Sequence, residues 1–371
     1  MTQNWLIRKL PASREYQYEL ANDIKKDQEK IKQHINEAIG TSETTIKQHI
    51  NEFFGLFENR IQEHIKNLAS QNEFNLKNEI KKSDESQMFL LGQYILNTRD
   101  NNKISCLKDA EMGIFSQWGE DGIIQWIINK ISICNQVFIE FGVENYKESN
   151  TRFLLMNNNW SGLVIDASID AIHEIKRDPI YWRHEITAIN QFITKENING
   201  IISQSGLPHD IGLLSIDIDG NDYWIWQAIT TITPRIVICE YNSVFGCDYS
   251  ITIPYTPDFT RTEAHYSNLY WGASLPALCA LAQQKGYVFI GSNSAGNNAF
   301  FIRNDLASGF RSLSAKEGYV NSKFRESRDC EGQLSFLSGE KRYKILQEMP
   351  VVDVSNNTIR SLYQLFNEHS S

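Results

Sequence analysis

The sequence holds no C-x-x-C pair. Its six cysteines, at 106, 134, 239, 247, 279 and 330, stand apart from one another. That excludes the usual zinc spacing and gives no disulfide framework, and it reads as buried free thiols in a reducing compartment, with Cys134 and Cys239 inside apolar, strand-like runs. No apolar run approaches the ~18 residues of a membrane span. The opening residues, MTQNWLIRKL, lack a signal-peptide core, so a cytoplasmic location is expected. Trp5, Leu6, Ile7 and Leu10 beside Arg8 and Lys9 add a second expectation, peripheral contact at the inner membrane, against the plainer one of packing on near neighbours. Positive charge is short as well. Lys and Arg number 36 against 45 Asp and Glu, and the net charge of -9 excludes a general nucleic-acid coat.

Residues 1–100 contain a single proline, Pro11, and few glycines, and they carry a repeat. IKQHINEAIGTSETT (31–45), IKQHINEFFGLFENR (46–60) and IQEHIKNLASQNEFN (61–75) recur with a period of 15. Two slots of the repeat hold Tyr16/Leu20, Ile31/Ile35, Ile46/Ile50, Ile61/Ile65, Leu76/Ile80 and Leu91/Ile95. Fifteen residues over four turns exceeds the pitch of a straight helix, so the apolar stripe predicts a right-handed supercoil. A stripe this narrow asks for partner helices. The expectation is a coiled-coil rod over 16–95, roughly 120 Å long at ~1.5 Å per residue, self-associating in parallel, with a trimer favoured. The alternative is a bundle folding back on itself at Gly40 or Gly55. His34, His49 and His64 share one column of the repeat and read as a polar flank of the seam.

From 101 to 371 the pattern changes to short apolar runs between helical stretches. QVFIEFG (136–142), SGLVIDAS (161–168), RHEITAIN (183–190), IGLLSIDIDG (211–220) and PRIVICEYN (234–242) predict buried parallel strands. SLPALCALAQQKG (274–286) predicts a helix, and YVFIGS (287–292) with NAFFIR (298–303) an antiparallel pair. The fold class is therefore α/β: a doubly wound, Rossmann-like sheet with one reversed edge strand.

In such a sheet ligands sit at the carboxyl ends of the strands. Acids crowd there: Glu140, Asp166, Asp217, Asp219 and Glu240. An unpaired buried carboxylate is costly, so this exceeds what packing would place. The first turn lacks G-x-G-x-x-G. It offers Gly142 together with Glu140, Glu144 and Glu148. A pyrophosphate wants several glycines or a basic group. An acid closing the second strand, Asp166, suits ribose hydroxyls. The pattern points to a ribose-bearing, cationic ligand without pyrophosphate, and S-adenosylmethionine has those features. Taken alone, Asp166 reads equally as the N-cap of the following helix.

FSQWGEDGII (115–124), FIEFGVENYKESNTRFL (138–154), WSGLVIDAS (160–168), LLSIDIDGNDYWIW (213–226) and IVICEYNSVFG (236–246) together resemble FkbM-like class I S-adenosylmethionine-dependent methyltransferases of bacteria. The resemblance covers about 105–305 and leaves the helical part outside. It implies a seven-stranded methyltransferase sheet and O-methylation of a sugar or surface glycan of the O-antigen or capsule type. By the same analogy Gln117 and Glu120 lie near the methionine end of the cofactor, although Glu120 also reads as a helix cap.

Methyl transfer needs an aligned acceptor oxygen and a group to take its proton. Asp219 or His265 is the expected base, and Glu240 and Asn242 orient the acceptor. Phe259, Tyr266, Tyr270 and Trp271 offer rings for a sugar, Arg261 a cation for an anionic acceptor, and Arg325 and Arg328 a cover for the cleft. Asp217, Asp219 and Glu240 also make a hard-oxygen set for Mg²⁺, although the metal-free reading is preferred. Asp217-x-Asp219 has a rival reading, the D-x-D of a metal-dependent glycosyltransferase, and a non-catalytic coiled-coil scaffold is a third. As a spacer or tether, the rod would hold the enzyme near membrane-associated glycan machinery.

Overall fold

The computed structural model describes residues 11–38 and 43–367. The chain divides after Gln87 into two compact units. The segment Trp5–Leu10, weighed above as a membrane contact, lies outside the described residues.

The first unit is made of the helix Pro11–Ala38 and the greater part of the helix Glu43–Thr98. They pair antiparallel. Arg60 donates to both carboxylate oxygens of Asp27 at 2.8 Å, His64 Nε2 lies 3.9 Å from Asp23, and the His34 ring faces Phe53 at 6.4 Å. As one partner's number falls the other's rises. The repeat therefore does not build one continuous rod over 16–95, because the stripe folds back on itself. The connection, 39–42, lies outside the described residues and contains Gly40, whose type costs a helix interior about 1 kcal/mol relative to alanine. Gly55 has the same place in the repeat, yet it stays helical with open space where a Cβ would stand. His34 and His64 sit at the helix contact, as the polar-flank reading expected. Much of the stripe remains uncovered: Phe54 is 55% exposed and Ile65 57%.

The second unit holds a seven-stranded sheet. Its strands are β1 (Val137–Phe141), β2 (Ser161–Asp166), β3 (Ile186–Asn190), β4 (Leu213–Ile216), β5 (Ile236–Glu240), β7 (Tyr287–Ser292) and β8 (Asn298–Arg303); β6 (Ile251–Thr252) belongs elsewhere. The order is β3-β2-β1-β4-β5-β8-β7. β1 to β5 pair in parallel, and β8 pairs antiparallel with both β5 and β7. The one reversed strand is thus β8, beside the edge strand β7. This is the Rossmann-like, doubly wound sheet that the run of apolar segments predicts.

Each strand is apolar on both faces because helices cover both. Ile139, Leu163, Leu214, Val237 and Phe301 face one core, while Phe138, Val164, Leu213, Ile238 and Phe300 face the other. The helix ends are written locally. Ser274 Oγ accepts the Ala277 N–H at 3.3 Å to start the helix Leu275–Lys285, and Gly286 ends it at φ 82°. The order β3-β2-β1-β4 reverses direction at β1, so the loops after β1 and β4 part there and leave a crevice.

Two features depart from expectation. A small sheet, β10-β9-β6, adds β9 (Pro350–Asp353) and β10 (Thr358–Ser361) around a core of Phe245, Ile251, Val351 and Leu362. Strands of two to four residues carry too little periodicity to read unless, as at β4, a longer apolar run surrounds them. Cys134 is exposed, as are Cys106 and Cys330, and all six cysteines are free. Cys134 lies ahead of β1 rather than in a strand. Among the described residues no helix is long and apolar enough to cross a membrane.

Trp226 is fully buried, 4.9 Å from Phe301 and 6.0 Å from Tyr287 between ring centroids. Trp226→Ala is expected to cost about 3–5 kcal/mol in urea unfolding of the second unit.

Candidate active site

A cavity of about 590 Å³ opens at the carboxyl ends of β1, β2, β4 and β5. The turn after β1 sets its floor. Gly142 adopts φ 71°, and a Cβ there would fall 1.6 Å from the Asp217 carbonyl oxygen. Only glycine lets the turns after β1 and β4 meet this closely.

The carboxylates of the site divide by what they hold. Glu140 is fully engaged by its own chain: it accepts from Ser149 Oγ at 2.8 Å, the Asn150 N–H at 2.8 Å, and Thr151 through N–H and hydroxyl at 3.1 and 2.5 Å. It lines the cavity mainly as the clamp that closes the loop beneath it. Asp222 accepts from the Ile218 and Gly220 N–H groups at 2.8 and 3.0 Å and so shapes the turn after β4. Asp121 does the same upstream, where Oδ2 takes the N–H groups of Ile114, Phe115 and Ser116 and steers the chain into Gln117. Glu120 is buried, accepting from Asn293, Asn298 and the Trp118 N–H. It is a brace rather than a cofactor contact, whereas Gln117 lines the cavity.

Asp166 faces the cavity from the end of β2. It accepts the Glu144 N–H at 2.8 Å and the Ser168 N–H at 2.7 Å. The helix that follows is capped by Ser168, whose Oγ accepts from Ala171 at 3.2 Å, so Asp166 is not its N-cap. Each oxygen of Asp166 keeps a lone pair for a ligand hydroxyl.

Asp217, Asp219 and Glu240 converge, with one oxygen from each within 4.8 Å of the others. Asp219 adopts φ 53°, an uncommon conformation for a residue with a Cβ, and its carboxylate accepts from Arg261 at 2.6 Å. Arg261 also reaches Glu326 at 3.3 Å. Burial, then the charges of Asp219 and Asp222, push Asp217 well above the carboxylate range. Burial, then Asp217, do the same to Glu240. Asp219 is raised by burial against the pull of Arg261, tempered by a side chain half open to water. Eight acids and one base, Arg261, line the cavity. That balance repels phosphates and attracts a cation.

Aromatic walls complete the cavity. Trp118 and Phe324 stack at 6.3 Å and 19°, and Phe192 and Phe259 lie on the lining. Phe324 and Glu326 come from the tail, where Arg325 and Arg328 were the expected cover. Arg325, between Phe324 and Glu326, points away and lies over the Phe336 ring at 5.7 Å, and Arg328 is held by the turn that follows, donating to the Gly332 carbonyl.

Five further expected residues are placed elsewhere. Asn242 is buried as a structural cap, donating to the Leu269 and Trp271 carbonyls at 2.9 Å and accepting from the Val244 N–H. His265 is outside the lining. Its Nδ1 lies 2.7 Å from Ser267 Oγ and accepts the Ser267 N–H, and burial lowers its pKa. Tyr266 stacks on that ring at 4.4 Å and is 47% exposed, away from the cavity. Tyr270 and Trp271 are core residues. Asn297 and Asn298, at the start of β8, line the cavity without any motif to announce them.

No protein-family model matches the chain, and no curated protein is similar to it in sequence. Solved structures similar to it include a SAM dependent methyltransferase from Aquifex aeolicus, at 7% identity over 55% of this chain and 98% of that one, TM-score 0.32. Human N-acetylserotonin methyltransferase matches at 10% over 50% and 56%, TM-score 0.29. The CurJ carbon methyltransferase matches at 8% over 64% and 70%, TM-score 0.34. An activity for this chain therefore has to come from the cavity's own residues.

Two outcomes test the geometry. Burial raises the Asp222 carboxyl to about 6 from an ordinary 3.8. The folded state then holds this proton more tightly than the unfolded one, so its contribution to stability is present at pH 4 and is lost as pH rises through 6. Asp222→Asn removes that loss, and its stability relative to the parent should improve by roughly 3 kcal/mol between pH 4 and 7. Gly142→Ala should lower the melting temperature and abolish ligand binding, as read by thermal unfolding with and without S-adenosylhomocysteine.

Proposed function

We propose that this protein is an S-adenosylmethionine-dependent O-methyltransferase acting on a sugar or glycan hydroxyl. The observation that carries it is Asp166 at the end of β2, beside a crevice lined by acids and closed by Gly142. A carboxylate there accepts from both ribose hydroxyls. The acids favour a cationic ligand, and no phosphate cradle competes. Bound there, S-adenosylmethionine supplies an electrophilic methyl group on a sulfonium.

The chain's own groups supply the rest. Trp118, Phe259 and Phe324 offer ring faces for a sugar, and Arg261 and Glu326 offer polar contacts at its rim. Asp219 is the carboxylate of the trio most open to solvent and to an acceptor, and it takes the acceptor proton. The uncovered apolar stripe of the first unit supports self-association, with a trimer favoured. In that form the helices act as a spacer or tether for glycan machinery at the inner membrane.

Calorimetric titration with S-adenosylhomocysteine is expected to show micromolar binding, weakened at least tenfold by Asp166→Ala. Binding of nucleotide sugars with none of S-adenosylhomocysteine would replace this reading with the D-x-D glycosyltransferase. Asp219→Asn should lower kcat by about 10²–10⁴ with unchanged S-adenosylhomocysteine affinity. Normal turnover would remove Asp219 from the mechanism. Sedimentation of the full chain tests self-association, and a monomer at all concentrations would exclude it.

A further inference from the structure

The convergent acids are arranged for more than proton transfer. Oxygens around one cation lie no further apart than twice the metal–oxygen distance, about 4.2 Å for Mg²⁺ and up to about 5 Å for Ca²⁺. The oxygens of Asp217, Asp219 and Glu240 lie within 4.8 Å of one another, inside the limit for a Ca²⁺ shell and up to about 0.6 Å outside that for Mg²⁺, so the smaller ion would draw them together. Acids alone cluster without ions, so the neighbouring groups decide.

Glu240 Oε2 is buried and has no hydrogen-bond partner. Asn298, the register partner of Glu240 on β8, is 3% exposed and lines the same cavity. Its Nδ2 donates to Glu120 at 2.8 Å, which fixes the amide, and its Oδ1 is left without a partner. Asn221 repeats the arrangement: it is 3% exposed and lines the cavity, Nδ2 donates to the Thr256 carbonyl at 2.8 Å, and Oδ1 has no partner. Unpartnered buried acceptors are expensive to leave unsatisfied. All of these are oxygens, the donor type of hard cations.

We infer that Asp217, Asp219 and Glu240, with the Asn298 carbonyl beside them, form a site for a hard divalent cation of the Mg²⁺ class. Arg261 occupies Asp219 at 2.6 Å, but Glu326 gives its guanidinium a second partner, so Asp219 turns to the cation without stranding it. The consequence for chemistry rests on the methyltransferase reading. An acceptor hydroxyl bound to the cation would lose its proton more readily, and Asp219, holding the cation through one carboxylate oxygen, would take that proton on the other. The hydroxyl oxygen then forms the new bond to the methyl carbon as the carbon–sulfur bond breaks, with the electron pair going to sulfur.

The test uses the full-length protein, freed of metal by chelator, with Mn²⁺ as a paramagnetic probe and S-adenosylhomocysteine titrated in parallel. The expected result is one saturable Mn²⁺ site per chain with a Kd of about 10⁻⁴ M or tighter. Mg²⁺ should displace it, and Asp219→Asn and Glu240→Gln should each weaken it at least tenfold. The Asp219 side chain is half open to water, so its variant carries the test if Glu240→Gln fails to fold. Equal Mn²⁺ affinity in the parent and Asp219→Asn overturns the site. So does the absence of Mn²⁺ binding while S-adenosylhomocysteine still binds, which leaves the methyltransferase reading standing. Mn²⁺ binding that the variants weaken, without S-adenosylhomocysteine binding, keeps the site and removes that reading.

Discussion

The contact between Gly142 and the Asp217 carbonyl is the constraint on which the site depends. β1 and β4 are neighbours in the sheet, but the chain leaves them in opposite directions, and the crevice between their turns exists because the turns touch at its base. A Cβ at 142 would fall 1.6 Å from that carbonyl oxygen and force the turns apart. With the turns held together, Asp217 and Asp219 after β4 meet Glu240 at the end of β5, and Asp166 reaches across from β2. The acids then share one cavity instead of lining separate strand ends.

Carboxylates in this protein do two kinds of work, and residue type does not separate them. Glu120, Asp121, Glu140 and Asp222 accept from backbone and side-chain donors and hold the loops that form the walls, although one oxygen of Asp121 has no partner. Asp166, Asp217, Asp219 and Glu240 keep oxygens turned to the cavity. Burial raises members of both groups, so a raised pKa alone does not mark the functional ones. What sets Asp217, Asp219 and Glu240 apart is that their oxygens converge on one point of the cavity.

The helical unit makes the same point in a different material. Its 15-residue repeat demands that an apolar stripe be covered, but not by what. The helices Pro11–Ala38 and Glu43–Thr98 cover part of the demand by pairing antiparallel, with Asp27 and Arg60 setting the register. Apolar side chains such as Phe54 and Ile65 remain open.

The seven main strands, their order of appearance, the reversed strand and the helix Leu275–Lys285 with its Ser274 and Gly286 ends were legible in the sequence. Each depends on local periodicity or on the conformational range of a single residue. Asp166, Gly142, Asp217, Asp219 and Glu240 were legible as a site because a parallel sheet gathers its ligands at strand ends, and those positions can be counted along the chain. What only the tertiary structure decided depends on separations that no local pattern encodes. It made Glu140 a clamp, Asn242 a buried cap and His265 a residue outside the cavity. It also brought Asn298, Phe324 and Glu326 to the cavity wall from the far end of the chain. The antiparallel pairing of Pro11–Ala38 with Glu43–Thr98 belongs with these, because a stripe on a helix specifies that it must be buried while the choice of partner is settled by which surfaces meet.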